Sequence, residues 1–271
     1  MTGTETRVLL VAEFDEALHA HSALRRRALE RLGCRVEAFD LLGRGGLLAR
    51  LRGGSMIERR RVALISRPST VVALTGATVL GVGSVESLRK DSAAVWANLL
   101  PGDPGAAAGP SPVDLAAVYD MLFVPDSALA TRLRTLGHER TTYLPFSCDP
   151  SVHRPMQSRD QFRANVVFVG GATAYREAML GELVEFGLAV WGPGWRRTGL
   201  RDYCRGETLS MADYVRAYAG ASVAINLHRE SPSSSREVGA NQRLFEVAAI
   251  GVPQVTGERG DLGRHFEPGR E

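Results

Sequence analysis

Residues 164–195 read "ANVVFVGGATAYREAMLGELVEFGLAVWGPGW". The run Val166–Val169 is apolar without interruption, as a strand covered on both faces would be. Paired glycines, Gly170 and Gly171, stop it. Residues 175–187 then read as a helix that ends on Gly187, a natural helix stop. A second apolar run, 188–195, follows and breaks at "GPG". Strand, helix, strand is the building unit of a parallel sheet, so this stretch points to an α/β protein.

The same alternation extends in both directions. "RVLLVAEF" (7–14), "HSALRRRALERLG" (21–33) and "CRVEAFDLL" (34–42) form another strand–helix–strand unit, with Leu24, Ala28, Leu29 and Leu32 on one helix face. Residues 60–67 and 70–84 are apolar and punctuated by glycine, and 93–100 reads as a buried strand. The loop 101–112 is followed by a helix and strand over 113–126, a helix over 127–137 capped by Ser127, and a strand over 141–147. Beyond residue 195, a helix capped by Ser210 (210–221), a strand (222–228), a helix (241–251) and a strand (252–257) complete a second series. Residues 148–161 hold two prolines and few apolar residues. The expected organisation is therefore a domain over 1–150, a linker at 151–162 and a second domain over 163–271.

Composition narrows the function. The chain has 271 residues, 44% of them hydrophobic, and carries a formal charge of +3, almost all of it from arginine, since Lys90 is the sole lysine. No apolar run reaches the roughly 18–20 residues of a membrane span. The N-terminus lacks the order of a signal peptide. A cytoplasmic location is expected, with peripheral membrane contact left open. Cys34, Cys148 and Cys204 are scattered without metal-ligand spacing and read as reduced thiols. Arg25–Arg27 and Arg59–Arg61 are short runs without interleaved aromatics, which argues against nucleic acid. Arginine does favour phosphate, so an anionic small ligand fits.

In an open parallel sheet, ligands bind outside the carboxyl ends of the strands. Gly170 and Gly171 would admit a ligand to the backbone, and the helix after them would aim free amides at an anion, with Arg176 in its first turn. A tight turn between strand and helix is the competing reading. "VWGPGW" (190–195) offers Gly192 and two tryptophans as a pocket wall, or simply as core. Asn226 and His228 end the strand at 222–228, before a polar stretch bordering the site. On the helix "NQRLFEVAAIG" (241–251), Gln242, Arg243 and Glu246 share a side, and Gln242 and Glu246 stand four apart. Periodicity leaves Glu246 open between the wet face of an ordinary helix and a carboxylate that accepts two ribose hydroxyls.

Taken in order, "VVFVGG…YR", "LAVWGPGW", Gly206 before "YVRAYAGASVAINLH", and "NQRLFEVAAIGVPQVT" resemble the nucleotide-sugar-binding domain of GT-B glycosyltransferases. The resemblance is to the group related to the spore maturation protein CgeB and the family-4-type enzymes. It rests on the "R-x-F-E-x-x-A-x-G-x-P" pattern and on "YLPFSCDPSVHRP" as the crossing between domains. It covers the chain from about residue 113 to the end.

The resemblance implies two Rossmann-like domains facing a cleft, with the C-terminal domain incomplete at "GDLGRHFEPGRE". It implies sugar transfer from a nucleoside diphosphate donor to an unidentified acceptor, with no metal and no cofactor beyond the donor. Glu246 would bind the ribose hydroxyls. Gly170, Gly171 and Arg176 would hold the diphosphate. Asn241 and Arg243 would face the phosphates or the sugar, Gly192 would border the base, and Asn226 and His228 would complete the donor side. An inverting reaction would need a base from the first domain, with His19, His21 and Asp103 as candidates. A retaining one would not. Where family-4-type enzymes often carry a second glutamate, this chain has Val238. The competing function is a GT-B-like module that binds a nucleotide or sugar, or scaffolds a partner, without catalysis. A dinucleotide enzyme is disfavoured, because neither "LLVAEF" nor "VFVGG" continues into GxGxxG.

Overall fold

A computed structural model describes residues 6–12, 14, 21–40, 71–75, 82–90, 92–100, 111–228 and 239–270. The chain divides into two compact α/β units between Leu144 and Pro145. Residues 151–162, expected as a linker, thus belong to the second unit.

The first unit is built on a parallel six-stranded sheet in the order β2-β1-β3-β4-β5-β6. Its strands are β1 (Arg7–Ala12), β2 (Arg35–Asp40), β3 (Val71–Thr75), β4 (Val95–Leu99), β5 (Met121–Val124) and β6 (Thr141–Tyr143). Its helices are α1 (His21–Arg31), α2 (Val82–Lys90), α3 (Pro112–Val118) and α4 (Ser127–Thr135). Leu9, Leu10 and Val11 of β1 are buried in succession, the mark of a strand packed on both faces.

Local chemistry sets the helix ends. Ser111 and Asp114 form a reciprocal capping box ahead of α3, with Pro112 at the first helical position. The cap of α4 is Asp126 rather than Ser127. The Asp126 carboxylate accepts from the Leu129 amide, and Ser127 is the first helical residue. The glycine-punctuated stretch 70–84 contains β3 and, from Val82, the start of α2. Residues 60–67 lie outside the described residues.

The second unit holds β7 (Ala164–Val169), β8 (Leu188–Trp191), β9 (Cys204–Gly206), β10 (Ala221–Asn226) and β11 (Gln254–Thr256), with α5 (Ala174–Gly181), α6 (Met211–Ala219) and α7 (Gln242–Ile250). All neighbours run parallel, in the order β11-β10-β7-β8-β9. From β7 the chain builds outward through β8 and β9, then returns to lay β10 on the other side of β7. The strand order therefore reverses between β7 and β10, and a switch point of this kind opens a crevice at the carboxyl ends. Thr173, Ser210 and Asn241 cap α5, α6 and α7 through their side chains. Val167, Ala189, Tyr218, Ala224 and Val247 are among the wholly buried residues that join sheet and helices.

A candidate donor-binding site at the switch point

The turn after β7 is built by close backbone contact. The Gly170 amide donates to the Trp191 carbonyl at 2.8 Å, and the Ala172 amide to the Pro193 carbonyl at 2.9 Å. A β-carbon on Gly192, where φ is +133°, would stand 2.3 Å from the Gly170 carbonyl oxygen. The glycine is thus required by the crossing of two turns. Trp195 is wholly buried and donates its indole N–H to the Gly170 carbonyl at 2.7 Å. Trp191 is buried as well, with the Arg205 guanidinium 5.6 Å from its ring. Both tryptophans pack into the core of the second unit. Both polar groups of the Gly170 peptide are also committed to the protein.

Arg176 is buried behind this turn. Its Nη1 donates to the Gly171 carbonyl (2.8 Å), its Nε to His228 (2.9 Å) and its Nη2 to Leu227 (3.0 Å). The guanidinium thereby stitches the end of β10 to the end of β7. Three of its five N–H groups are thus given to carbonyls. Its charge still adds to the field of the crevice.

Asn226 and Asn241 form a reciprocal amide pair. Asn241 donates to Asn226 Oδ1 at 2.8 Å, and Asn226 donates to Asn241 Oδ1 at 3.1 Å. Asn241 Oδ1 also accepts from the Leu244 amide at 3.1 Å, so one side chain caps α7 and docks it on β10. Arg243, in the first turn, donates Nη1 to Asn226 Oδ1 (3.1 Å) and lies 5.2 Å from the centre of the Phe168 ring. Its Nε is buried with no hydrogen-bond partner among the described residues. His228 sits among positive charges. Burial first, then Arg259, Arg243 and Arg176, push its pKa down to about 3, so its imidazole is uncharged. Arg259, Arg243 and Arg176 together make the field at His228 positive, which suits an anionic ligand.

Glu246 lies one helical turn beyond Arg243, and it is not on a wet helix face. It is 3% exposed. Tyr214 of α6 donates its hydroxyl to Oε2 at 2.5 Å, and Gln242 donates its amide to Oε1 at 2.8 Å. Burial and the adjacent Glu246 charge raise the Tyr214 pKa well above the phenol range, so the hydroxyl keeps its proton and remains a donor. His153 brings Nε2 to 3.4 Å from Oε1. Its position comes from an Asx turn in which Asp149 Oδ1 accepts from the Ser151 amide and hydroxyl (2.9 and 2.7 Å). Cys148 lies close enough for the Glu246 and Asp149 charges to act on its thiol, and burial is the main cause that raises its pKa.

Tyr214, His153 and Asp149 were not singled out from sequence. Tyr214 sits in an ordinary amphipathic helix, and His153 sits in a proline-flanked stretch that reads as a loop. Gly170, Gly171, Arg176, Asn226, His228, Asn241 and Arg243 gather at the switch point, with Gly192 packed beneath the turn and Glu246 adjoining. Of the residues proposed as a base, His21 opens α1, while His19 and Asp103, like Val238, lie outside the described residues. Among the described residues, no group of three His, Cys, Asp or Glu side chains converges as metal ligands would. No helix of the described residues is long and apolar enough to cross a membrane.

Residues 175–271 match a family described as "Glycosyl transferase-like". No curated protein matches the sequence. Among solved structures, the lipopolysaccharide outer core galactosyltransferase WaaB in its apo form superposes with a TM-score of 0.58 at 12% identity, over 97% of this chain and 84% of that one. An alpha-glucosyltransferase in complex with UDP-glucose and DNA containing an abasic site gives 0.60 at 9% identity, over 96% and 82%. The UDP-N-acetylglucosamine 2-epimerase from Rickettsia bellii gives 0.55 at 11% identity, over 93% and 78%. At such identities these likenesses establish the fold. It is the GT-B fold of two Rossmann-like units, with a glycosyl transferase-like segment in the second.

Proposed function

We propose that this GT-B chain is a glycosyltransferase that takes its sugar from a nucleoside diphosphate donor bound at the carboxyl ends of β7 and β10, and that it works without a metal ion. The observation that carries the reading is a pair of unlike charges on α7. Arg243 holds a buried N–H with no hydrogen-bond partner among the described residues, and Glu246 offers a buried carboxylate one turn on. A nucleoside diphosphate has a matching order: an anionic diphosphate, then a ribose whose two hydroxyls donate. Groups three apart on a helix are separated by about 5–6 Å, the scale of that step.

In this reading Arg243, the Gly171 amide and the first amides of α5 receive the diphosphate, while Arg176 and Arg259 add charge from behind. Breaking the glycosidic bond concentrates negative charge on the departing diphosphate. Cations and amides already fixed in place stabilise that charge without reorganising. The "Glycosyl transferase-like" match over 175–271 supports the reading, and so does the donor named for one structural neighbour.

The test is direct. Purified chain is titrated with UDP, GDP, ADP and CDP, then incubated with the corresponding sugar donors and candidate acceptors while nucleoside diphosphate release is followed. Binding with turnover is expected. Binding of a diphosphate with no turnover of any donor would instead favour a non-catalytic nucleotide-binding module. Glu246→Ala should weaken diphosphate binding by roughly 2–4 kcal/mol, the worth of two hydrogen bonds to a charged acceptor. An unchanged Kd in a folded variant removes Glu246 from the ribose.

A further inference from the structure

The surroundings of Glu246 differ in kind from one side to the other. A carboxylate offers about four lone-pair sites. Tyr214 fills one, Gln242 a second, and the His153 N–H faces a third. Two ribose hydroxyls need two sites, so one of the three donors must withdraw. Tyr214 and His153 are sealed in, whereas Gln242 is half-buried at the rim.

The His153 ring is fixed by its other nitrogen. Nδ1 accepts the Asp149 backbone N–H at 3.0 Å, so the ring proton belongs on Nε2, the atom turned to Glu246. At 3.4 Å that N–H stops short of a formed hydrogen bond, and Nε2 has no hydrogen-bond partner among the described residues. A buried donor aimed at a buried acceptor across a slightly long gap can tighten when ligand arrives.

We propose that His153 is a positioning residue for the nucleotide. Its Nε2–H, oriented by the Asp149 amide, holds the Glu246 carboxylate for the ribose hydroxyls, and Gln242 is the placeholder those hydroxyls displace. The proposal rests on the ribose role of Glu246 given above. A neutral donor suits this place because it steers the carboxylate without cancelling its charge.

The experiment measures ribose recognition rather than affinity alone. UDP, GDP and ADP are titrated by calorimetry to find the tightest, which is then compared with its 2′,3′-dideoxy counterpart in each variant. The parent chain is expected to prefer the ribose form. His153→Leu should shrink that preference about tenfold, the scale of one hydrogen bond to a charged group, while leaving the dideoxy Kd nearly unchanged. His153→Gln, whose amide reaches the Nε2 position, should keep most of the preference. His153→Asn, which reaches only the Nδ1 position, should lose it, and this pair decides the matter if the leucine variant does not fold. Gln242→Ala should bind the ribose form at least as tightly as the parent.

Equal loss of both ligand forms in the His153→Leu and His153→Asn variants would make His153 merely structural and overturn the proposal. So would an unchanged preference in either variant. A parent chain that binds the diphosphate but does not distinguish ribose from dideoxyribose overturns the ribose role of Glu246 itself, a failure visible before any variant is made.

Discussion

Replacing Gly192 with alanine should damage the second unit more than any single-methyl change nearby. The added carbon would lie 2.3 Å from the Gly170 carbonyl oxygen, 2.5 Å from its carbon and 3.1 Å from the Gly171 nitrogen. All three are backbone atoms, and none can swing aside as a flexible side-chain tip could. The Gly170 carbonyl is held by Trp195, its amide by Trp191, and the Gly192 amide by the Gly206 carbonyl at 2.9 Å. Overpacking of this kind costs about 1–3 kcal/mol, and the left-handed φ of +133° adds about 1–3 kcal/mol for a residue with a β-carbon. A loss of roughly 2–6 kcal/mol is a large share of the roughly 5–15 kcal/mol that holds a domain together. Urea unfolding followed by tryptophan fluorescence reads it. Of the three tryptophans, Trp191 and Trp195 flank the turn and Trp96 lies in the other unit, so a Trp96→Phe background isolates the signal. Gly181→Ala, at the last turn of α5 with nothing within 4 Å of the new carbon, is the control and should be neutral or slightly stabilising. If Gly192→Ala unfolds within about 0.5 kcal/mol of its parent, below the overpacking range, the close crossing of the two turns is not what holds this site.

Other perturbations follow from the same geometry. His228 has a folded pKa of about 3 against an ordinary 6.5. Between those values the unfolded chain takes up a proton that the folded chain refuses. Stability from this group is therefore level above pH 6.5 and falls as pH drops below it, by at most about 1.4 kcal/mol per pH unit. His228→Gln should flatten that part of a stability-against-pH curve, and an unaltered slope would place the loss elsewhere. Tyr214→Phe removes the hydroxyl donated to Glu246 and should destabilise by roughly 1.5–3 kcal/mol, read by the same unfolding assay. Asn241→Ala strips the cap of α7 and leaves Asn226 short of its partner in the core, for a combined loss of about 2–4 kcal/mol. A thermal melt within a degree of the parent would rule that pairing out as a support.

β7, β8 and β10 were legible because each is rich in Val, Leu, Ile or Ala and carries at least three consecutive buried residues. β7 and β10 needed no tertiary information, and the glycines after β7 marked where the chain turns. Two things were hidden for definite physical reasons. β9, only Cys204–Gly206, is too short to show a period and exists because β8 offers an edge to it. Residues 148–161 read as a tether because prolines and polar side chains usually stay solvated. Most of them are exposed, but Asp149 and His153 are buried, because Asp149 closes a turn on Ser151 and delivers His153 to a carboxylate 93 residues further along. No local pattern encodes a partner at that distance.

Arg176 and Glu246 show how residue type can be legible while role is not. Arginine after a glycine turn suggests phosphate, and the arginine is there, yet its three nitrogens go to carbonyls of Gly171, Leu227 and His228. A loop leaving β10 at a switch point has carbonyls that no strand pairs, and a buried planar donor with a fork of N–H groups suits them. The same demand explains Glu246. Gln242 four residues before it suggested an exposed helix pair, and that hydrogen bond does form. It forms at the lip of a buried pocket, because α6 brings Tyr214 and the 149–153 turn brings His153 to cover the carboxylate. Burying a carboxylate against neutral donors, with no paired cation in contact, is unfavourable unless something recovers the loss. The hydrogen bonds from Tyr214 and Gln242 offset part of that cost. On the function proposed above, a ligand that donates hydrogen bonds to Glu246 meets the remainder. Glu246→Leu should accordingly abolish recognition of the ribose and, because it leaves the buried Tyr214 hydroxyl without its acceptor, lower stability by about 1–3 kcal/mol, a loss that adding Tyr214→Phe should largely recover. Ribose recognition that survives in a folded Glu246→Leu variant would refute the assignment.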